Sequence, residues 1–325
     1  MGRRDAMDVF EHLFGQGSGE DKAVLDAAID RAVSAVEPLL KQTGGYPDNY
    51  RKPIAAALEY AHNLAADLPG PVTVDRESYA KDPFVHSLFP SADLIHDGFC
   101  ASQSLRDYQR KFPASDELYA LMGMRRGEKA VAGTELSGQT VRQGGSQKAV
   151  YFTSHTIEDP APTEQMARDL AAMSFFDSLV SKVRIRIGLR KQELLARMEE
   201  KDLLTDLLLA ANPRKRPALE LELSRTMKAM QLVSDSLELR NFMADFEAVM
   251  LHPEEYLRMV ETPIVLDGKG IRRDVGATGR AEAIVFSDLI GYDRRDWTVT
   301  MVRCNNLRSV SFDAKPEDLY RKLVA

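Results

Sequence analysis

Histidine, cysteine and carboxylate side chains that could carry chemistry are concentrated in one irregular segment, residues 80–112. His86, His96, Asp97 and Cys100 could together offer the nitrogen, oxygen and sulfur ligands that zinc accepts, although their spacing matches no metal motif. His96 and Cys100 are four residues apart, which on a helix would place a base and a thiol on one face. A cysteine that only packs is far commoner than a catalytic one. The segment therefore carries an enzyme hypothesis without a motif that identifies a reaction.

Other motifs of nucleophilic or phosphate chemistry are incomplete. Ser154 and His155 are adjacent, so on a strand they would point to opposite faces, and a Gly-x-Ser-x-Gly elbow is absent from the sequence. The stretch GQGSGEDK at 15–22 lacks both the Walker spacing and the third glycine of the dinucleotide fingerprint, so a flexible connector is the plainer interpretation. We therefore assign no catalytic residue, no metal ligand and no cofactor, and the sequence favours a non-enzymatic protein.

Basic side chains form the most concrete candidate site. On a helix with about 100° per residue, five of them fall in one arc beside an apolar seam: Lys182, Arg186, Arg190, Arg197 and Lys201. Three more follow in the break between two helical patterns: Arg214, Lys215 and Arg216. Both groups could bind phosphate, anionic lipid or an acidic partner. The plainer interpretation is that the arginine stems cover apolar surface and that neighbouring glutamates balance the charge.

Composition sets broad limits on the function. The chain has 325 residues, of which 44% are hydrophobic and 28% charged, as expected for a globular protein of about two domains. The net charge of -6 argues against a generic nucleic-acid binder, and neither basic group is interleaved with aromatic residues that could stack on bases. Two distant cysteines, Cys100 and Cys304, favour a reducing, cytoplasmic setting. We also expect neither a secretory signal nor a membrane span.

Two long amphipathic patterns dominate the middle of the chain. Apolar residues recur mostly in steps of three, four or seven from Met166 to about Leu209, with Thr163 placed to cap the first turn. A second pattern follows the break NPRKRP at 212–217. Because a short break between long helices implies antiparallel neighbours, we predict a helical hairpin over about 163–251.

The stretch SKVRIRIGLRKQELL at 181–195 also alternates in the way a strand does. Val183 and Ile187 continue the helical seam, however, so we predict one uninterrupted helix. Ile185 and Leu189 would lie on its opposite side, and we expect that second apolar side to be packed between layers of the protein.

Strand-like patterns flank the hairpin at 129–159 and 262–304. We predict that they pair into one small, mostly antiparallel sheet, with a loop at 142–147. Helices are expected before residue 71, and short helices within 72–127, among them SDELYALMGM at 115–124 with Ser115 as its cap. The predicted fold is α+β and predominantly α-helical. Its regions are 1–71, 72–127 and 128–325.

These observations favour an interaction or scaffold protein that oligomerises or binds a protein partner through a coiled-coil-like hairpin. The first alternative is an anion- or nucleic-acid-binding protein that uses the basic stripe at 182–201 and the basic tip at 214–216, with nucleic acid not favoured. The second alternative is an enzyme with a site in 80–112.

Overall fold

The computed structural model describes residues 20–137, 140–273, 281–291 and 296–305. The chain divides into two compact units, each discontinuous in sequence. A helical unit comprises Met1–Tyr60 and Phe176–Tyr256, and a sheet unit comprises Ala61–Phe175 and Leu257–Ala325. The fold is α+β and predominantly α-helical, as predicted.

Helices and strands alternate in blocks along the chain. The α-helices are α1 Glu20–Val36, α2 Asp48–Ala66, α3 Arg76–Lys81, α4 Pro83–Leu88, α5 Ala92–Ala101, α6 Gln103–Lys111, α7 Glu164–Ala210, α8 Arg216–Ser236 and α9 Phe242–Met250. Short 3-10 turns occur at Pro38–Gln42, Leu239–Asn241 and Pro253–Glu255. The strands are β1 Val72–Thr73, β2 Glu117–Ser137, β3 Thr140–Ala161, β4 Leu257–Asp267, β5 Ala281–Gly291 and β6 Asp296–Asn305.

The predicted helical hairpin is confirmed, with a shorter second arm. Helix α7 has 47 residues, a length of about 70 Å, and begins where the amide of Met166 donates to Thr163 Oγ1 at 3.3 Å. Arg190 Nη1 donates to the carbonyl of Ser236 at 3.3 Å, so the end of α8 lies beside the middle of α7. The second arm ends at Ser236 rather than near 251, because a 3-10 turn intervenes before α9.

The predicted sheet is also confirmed. Its strand order is β3-β2-β6-β5-β4, all antiparallel, and β1 pairs parallel with β6. Both sequence blocks that flank the hairpin therefore contribute to one sheet. Strand β3, at one edge of the sheet, also contacts the turn that follows β4, at the other edge. The Val150 amide donates to Gly270 O at 2.9 Å, and the Arg272 amide donates to Lys148 O at 2.8 Å. Gly270 allows this return because its φ is +72°.

The core of the sheet unit overturns one local prediction. Residues 115–124 were expected to form a helix, yet β2 begins at Glu117. Leu118, Ala120, Met122 and Met124 are buried with the spacing of two that places them on one face of a strand. These residue types favour helices, so burial against neighbouring strands decided the outcome rather than intrinsic propensity.

Other local predictions changed as well. Ser115 does not cap a helix, since its Oγ donates to the Glu117 carbonyl at 2.7 Å. The predicted loop at 142–147 lies inside β3. Four short helices, α3 to α6, cover most of the segment 80–112, whose sequence shows no regular pattern. Their buried Leu88, Phe99 and Leu105 belong to the same core as the sheet. Residues 5–14 and 316–324, whose sequences also predict helices, lie outside the described residues.

Candidate interaction surface

The least exposed residues of α7 and α8 recur in steps of three and four. On α7 this seam contains Val183, Ile187, Leu194, Leu204 and Leu208, with the partly buried Arg190, Arg197 and Lys201 at the steps between them. On α8 it contains Leu219, Leu223, Thr226, Met230 and Val233. Steps of three and four keep side chains on one face of a helix, as in a coiled coil. The hairpin therefore has an inner side that is well defined by burial.

Large apolar side chains are also exposed on the opposite side of α7. Ile185 is 45% exposed, Leu189 59%, Leu203 61% and Leu207 47%. With Ala196, which is exposed between them, these residues form what we call the outer stripe. Polar residues occupy the turns between Leu189, Ala196 and Leu203, namely Gln192, Glu193, Glu199 and Glu200. Single exposed leucines are ordinary on protein surfaces, but large apolar side chains that recur along one face of a helix are typical of helix–helix contacts.

The outer stripe corrects one expectation and confirms another. The stretch 181–195 is helical throughout, as predicted. Its second apolar side is not packed between layers, however, because Ile185 and Leu189 are both exposed within the described chain. The side chains that the sequence indicates should be covered are therefore left to solvent.

Two of the predicted basic residues hold a buried acid. Asp245 lies on α9 with its side chain 6% exposed, and Arg190 Nη2 binds its Oδ2. Arg186 Nε binds Asp245 Oδ1 at 3.3 Å, and Arg186 Nη1 donates to the hydroxyl of Tyr256 at 3.3 Å. A buried carboxylate requires such partners, because its charge loses its hydration on folding. Arg186 and Arg190 therefore serve the interior of the helical unit.

Two more residues of the basic stripe, Arg197 and Lys201, are paired with nearby acids on α7. Arg197 lies 2.9 Å from Glu200 and 3.9 Å from Glu193, and Lys201 lies 2.7 Å from Asp202. Lys182 is half-buried. The stripe therefore shares much of its charge within the helical unit.

The basic residues at the hairpin tip are more exposed than most residues of the basic stripe. Arg214, Lys215 and Arg216 are all exposed, in a turn where the Lys215 amide donates to Asn212 Oδ1 at 3.2 Å. Among the predicted basic residues, the tip is the group most open to an anion.

The segment of the enzyme hypothesis borders a cleft of about 590 Å³ in the sheet unit. His86 lies at its wall, with Nδ1 3.3 Å from the Tyr79 carbonyl, and Ser87 Oγ donates to the Phe84 carbonyl at 2.7 Å. The side chains of His96, Asp97 and Cys100 lie outside the described residues. Elsewhere in the described part of the chain, no group of three His, Cys, Asp or Glu side chains is arranged to hold a metal ion.

Two further reactive residue types have structural roles. His155 Nε2 donates to the Leu88 carbonyl at 2.8 Å, its ring stacks on Phe89, and burial lowers the pKa of its imidazole. Cys304 is fully buried, and that burial raises the pKa of its thiol, so the nucleophilic thiolate is disfavoured.

Comparison with protein-family models, with curated proteins and with solved structures gave no match. Among the described helices, none contains a run long and apolar enough to cross a membrane. The case for a function therefore depends on the geometry of the surface itself.

Reasoning from the sequence missed Asp245, the acid that binds both Arg186 and Arg190. A signal for it existed, since FMADFEAVM places one acid at a position flanked on the helix by Phe242, Phe246 and Val249, all of them buried. An acid on an apolar helix face requires a basic partner, and Arg186 and Arg190 are one helical turn apart.

Proposed function

We propose that the protein is a non-enzymatic interaction protein and that the α7–α8 hairpin is the element that binds a second copy or another protein. The observation that carries the proposal is the outer stripe. Its large side chains extend over 23 residues of one helix, from 185 to 207, a distance of about 33 Å. The cytoplasmic setting expected from the cysteines is part of the same proposal.

The strength of such a contact follows from the exposed area. Full burial of a leucine or isoleucine contributes about 1.5–3 kcal/mol, and the four large side chains start about half exposed. A partner that covered them would gain about 1 kcal/mol from each, or about 4 kcal/mol in total. Because association also costs entropy, the stripe supports a reversible contact to which the partner must add surface of its own.

A photo-crosslinking experiment tests the proposal. A photoreactive amino acid would replace Leu203 on the outer stripe, or Val260 on β4, which is also an exposed apolar position but lies in the sheet unit. Light should join the Leu203 probe to a protein of one discrete mass, either in the purified sample or in host extract, while the Val260 probe gives no such product. If both probes give the same products, or if neither reacts, the hairpin is not the binding element.

The exposed tip supports a second candidate function, the binding of an anion. Arg214, Lys215 and Arg216 are exposed to solvent, whereas four of the five residues of the basic stripe pair with acids. Retention on heparin at low salt should weaken steeply as salt rises, and replacing the three tip residues by glutamine should abolish it. Equal retention of this variant and the natural protein would exclude the tip.

A further inference from the structure

We infer that the partner of the outer stripe is a second copy of this chain, with the two α7 helices antiparallel about a two-fold axis at Ala196. This inference depends on the proposed function and specifies the partner of the same surface.

The spacing of the stripe is symmetric about Ala196. Leu189 and Leu203 lie seven residues before and after it, and Ile185 and Leu207 lie eleven residues before and after it. A two-fold axis at Ala196 would therefore set Leu189 against Leu203 of the second copy, and Ile185 against Leu207 of the second copy. A two-fold contact uses the same surface on both copies, so a self-complementary row of this kind is what it requires.

The small side chain at the centre favours the same arrangement. Ala196 is the one stripe member without a large side chain, and it lies where the two helices would be closest. Small residues at a crossing point let helix backbones approach, while larger residues on either side fill the space as the helices diverge.

Charge decides between antiparallel and parallel pairing. Residues 181–192 contain five basic and no acidic side chains, whereas residues 193–207 contain five acidic and two basic ones. A parallel pair would place like charges side by side along the whole contact. An antiparallel pair places the basic half of each helix opposite the acidic half of the other, with Arg184 close to the turn that carries Asp206.

Internal pairing reduces this effect without reversing it. Asp245 binds Arg186 and Arg190, and Glu37 lies 3.2 Å from Lys191. On the acidic side, Arg197 is paired with both Glu193 and Glu200, which weakens the repulsion that these two acids would otherwise add to that of Glu199 near the axis.

The remaining contacts of α7 within the helical unit leave the outer stripe accessible. Helix α8 lies on the seam side, as the bond from Arg190 to Ser236 indicates. Helix α1 and its following turn contact α7 through Asp177 and Lys191, which on a wheel of about 100° per residue fall between the seam and the stripe. A second copy could therefore approach without displacing either neighbour.

Disulfide trapping tests both the partner and its direction. With Cys100 replaced by serine and Cys304 kept, because it is buried, Leu189→Cys and Leu203→Cys proteins would be oxidised separately and as an equal mixture. The mixture should form a covalent dimer, whereas Leu189→Cys alone should not, because its two cysteines would lie about 21 Å apart in the antiparallel pair. A dimer from Leu189→Cys alone would show a parallel pair and overturn the inference.

Sedimentation equilibrium tests the dimer independently, by measuring its dissociation constant. The Leu189→Glu, Leu203→Glu double variant should raise the dimer dissociation constant at least about tenfold, since two apolar contacts in each copy become charged. The matched control is Leu232→Glu on α8, where the leucine is 72% exposed and outside the stripe. It should leave the constant unchanged. Circular dichroism would establish that all variants keep their helices.

The outcomes separate this inference from the proposed function. If the natural protein is monomeric at every concentration while the Leu203 probe still joins a different protein in extract, the second copy is the wrong partner and the hairpin remains the binding element. If the probe joins nothing, both fail.

Discussion

Replacing Asp245 by asparagine should destabilise the helical unit. The carboxylate is buried on α9 and is held by Arg186 and Arg190 of α7, so it links two helices that are far apart in sequence. Asparagine has nearly the same shape but no charge. It therefore leaves two guanidinium groups next to a neutral amide and tests the charge rather than the packing.

The expected loss is about 2 kcal/mol. Removing one member of a fully buried ion pair costs about 3–5 kcal/mol, whereas exposed pairs contribute about 0–1 kcal/mol. Asp245 belongs to the first class, but Arg190 is 27% exposed and Arg186 43% exposed, so both can regain water once the acid is neutral. An intermediate value follows. With a urea dependence of about 2 kcal/mol per molar, the unfolding midpoint should fall by about 1 M.

Circular dichroism can follow the unfolding of the helical unit, and tryptophan fluorescence that of the sheet unit. Circular dichroism at 222 nm reports mainly on helices, whereas the single tryptophan, Trp297, lies on β6 in the sheet unit. The dichroism midpoint should fall in the Asp245→Asn variant. The matched control is Asp202→Asn, whose side chain is 69% exposed, and it should shift the midpoint by less than about 0.2 M.

An unchanged dichroism midpoint in the Asp245→Asn variant would refute the reasoning. A double variant that adds Arg190→Met gives a further check. Because the two substitutions remove the same interaction, their combined effect should be smaller than the sum of the single effects.

Three further predictions concern the sheet unit. Arg168→Met removes the donor to four backbone carbonyls at and beyond the end of α2, and the urea midpoint followed by tryptophan fluorescence should fall by the equivalent of about 2 kcal/mol. Burial lowers the pKa of His155, so the unfolded state takes up the proton first and stability should fall as the pH drops below about 6.5. His155→Gln should reduce the difference between midpoints at pH 7.5 and 5.5. In a Cys100→Ser protein, iodoacetamide should label the buried Cys304 at least about 100-fold more slowly in buffer than in urea.

Much of the fold could be predicted because its long elements carry strong periodic patterns. The sequence of helix α7 repeats its apolar pattern over more than ten turns, and β5 and β6 are bounded by turn residues. The start of β2 could not be predicted, because Leu118, Ala120 and Met122 are good helix formers whose alternation matters only once β6 lies beside them. The pairing of β3 with the turn at 270–272 likewise depends on a close approach between distant segments.

The candidate site was predictable in part. The spacing of Ile185 and Leu189 indicates a second apolar side on α7, but spacing alone does not say whether that side is covered. The ion pairs of the basic stripe could not be predicted for a related reason. Helical periodicity places Arg186 and Arg190 on one face, yet it does not show that Asp245, more than 50 residues later, is folded against them.

The ion pairs also bear on which side of α7 can bind a partner. An anion that bound Arg190 would compete with Asp245 and leave its buried carboxylate without its closest cation. The cost would be comparable to the loss of about 2 kcal/mol that we expect for the Asp245→Asn variant. The outer stripe carries no such penalty, because Leu189 and Leu203 lose only water when a partner covers them. Association through the stripe is therefore compatible with the stability of the helical unit, whereas anion binding along the basic face opposes it.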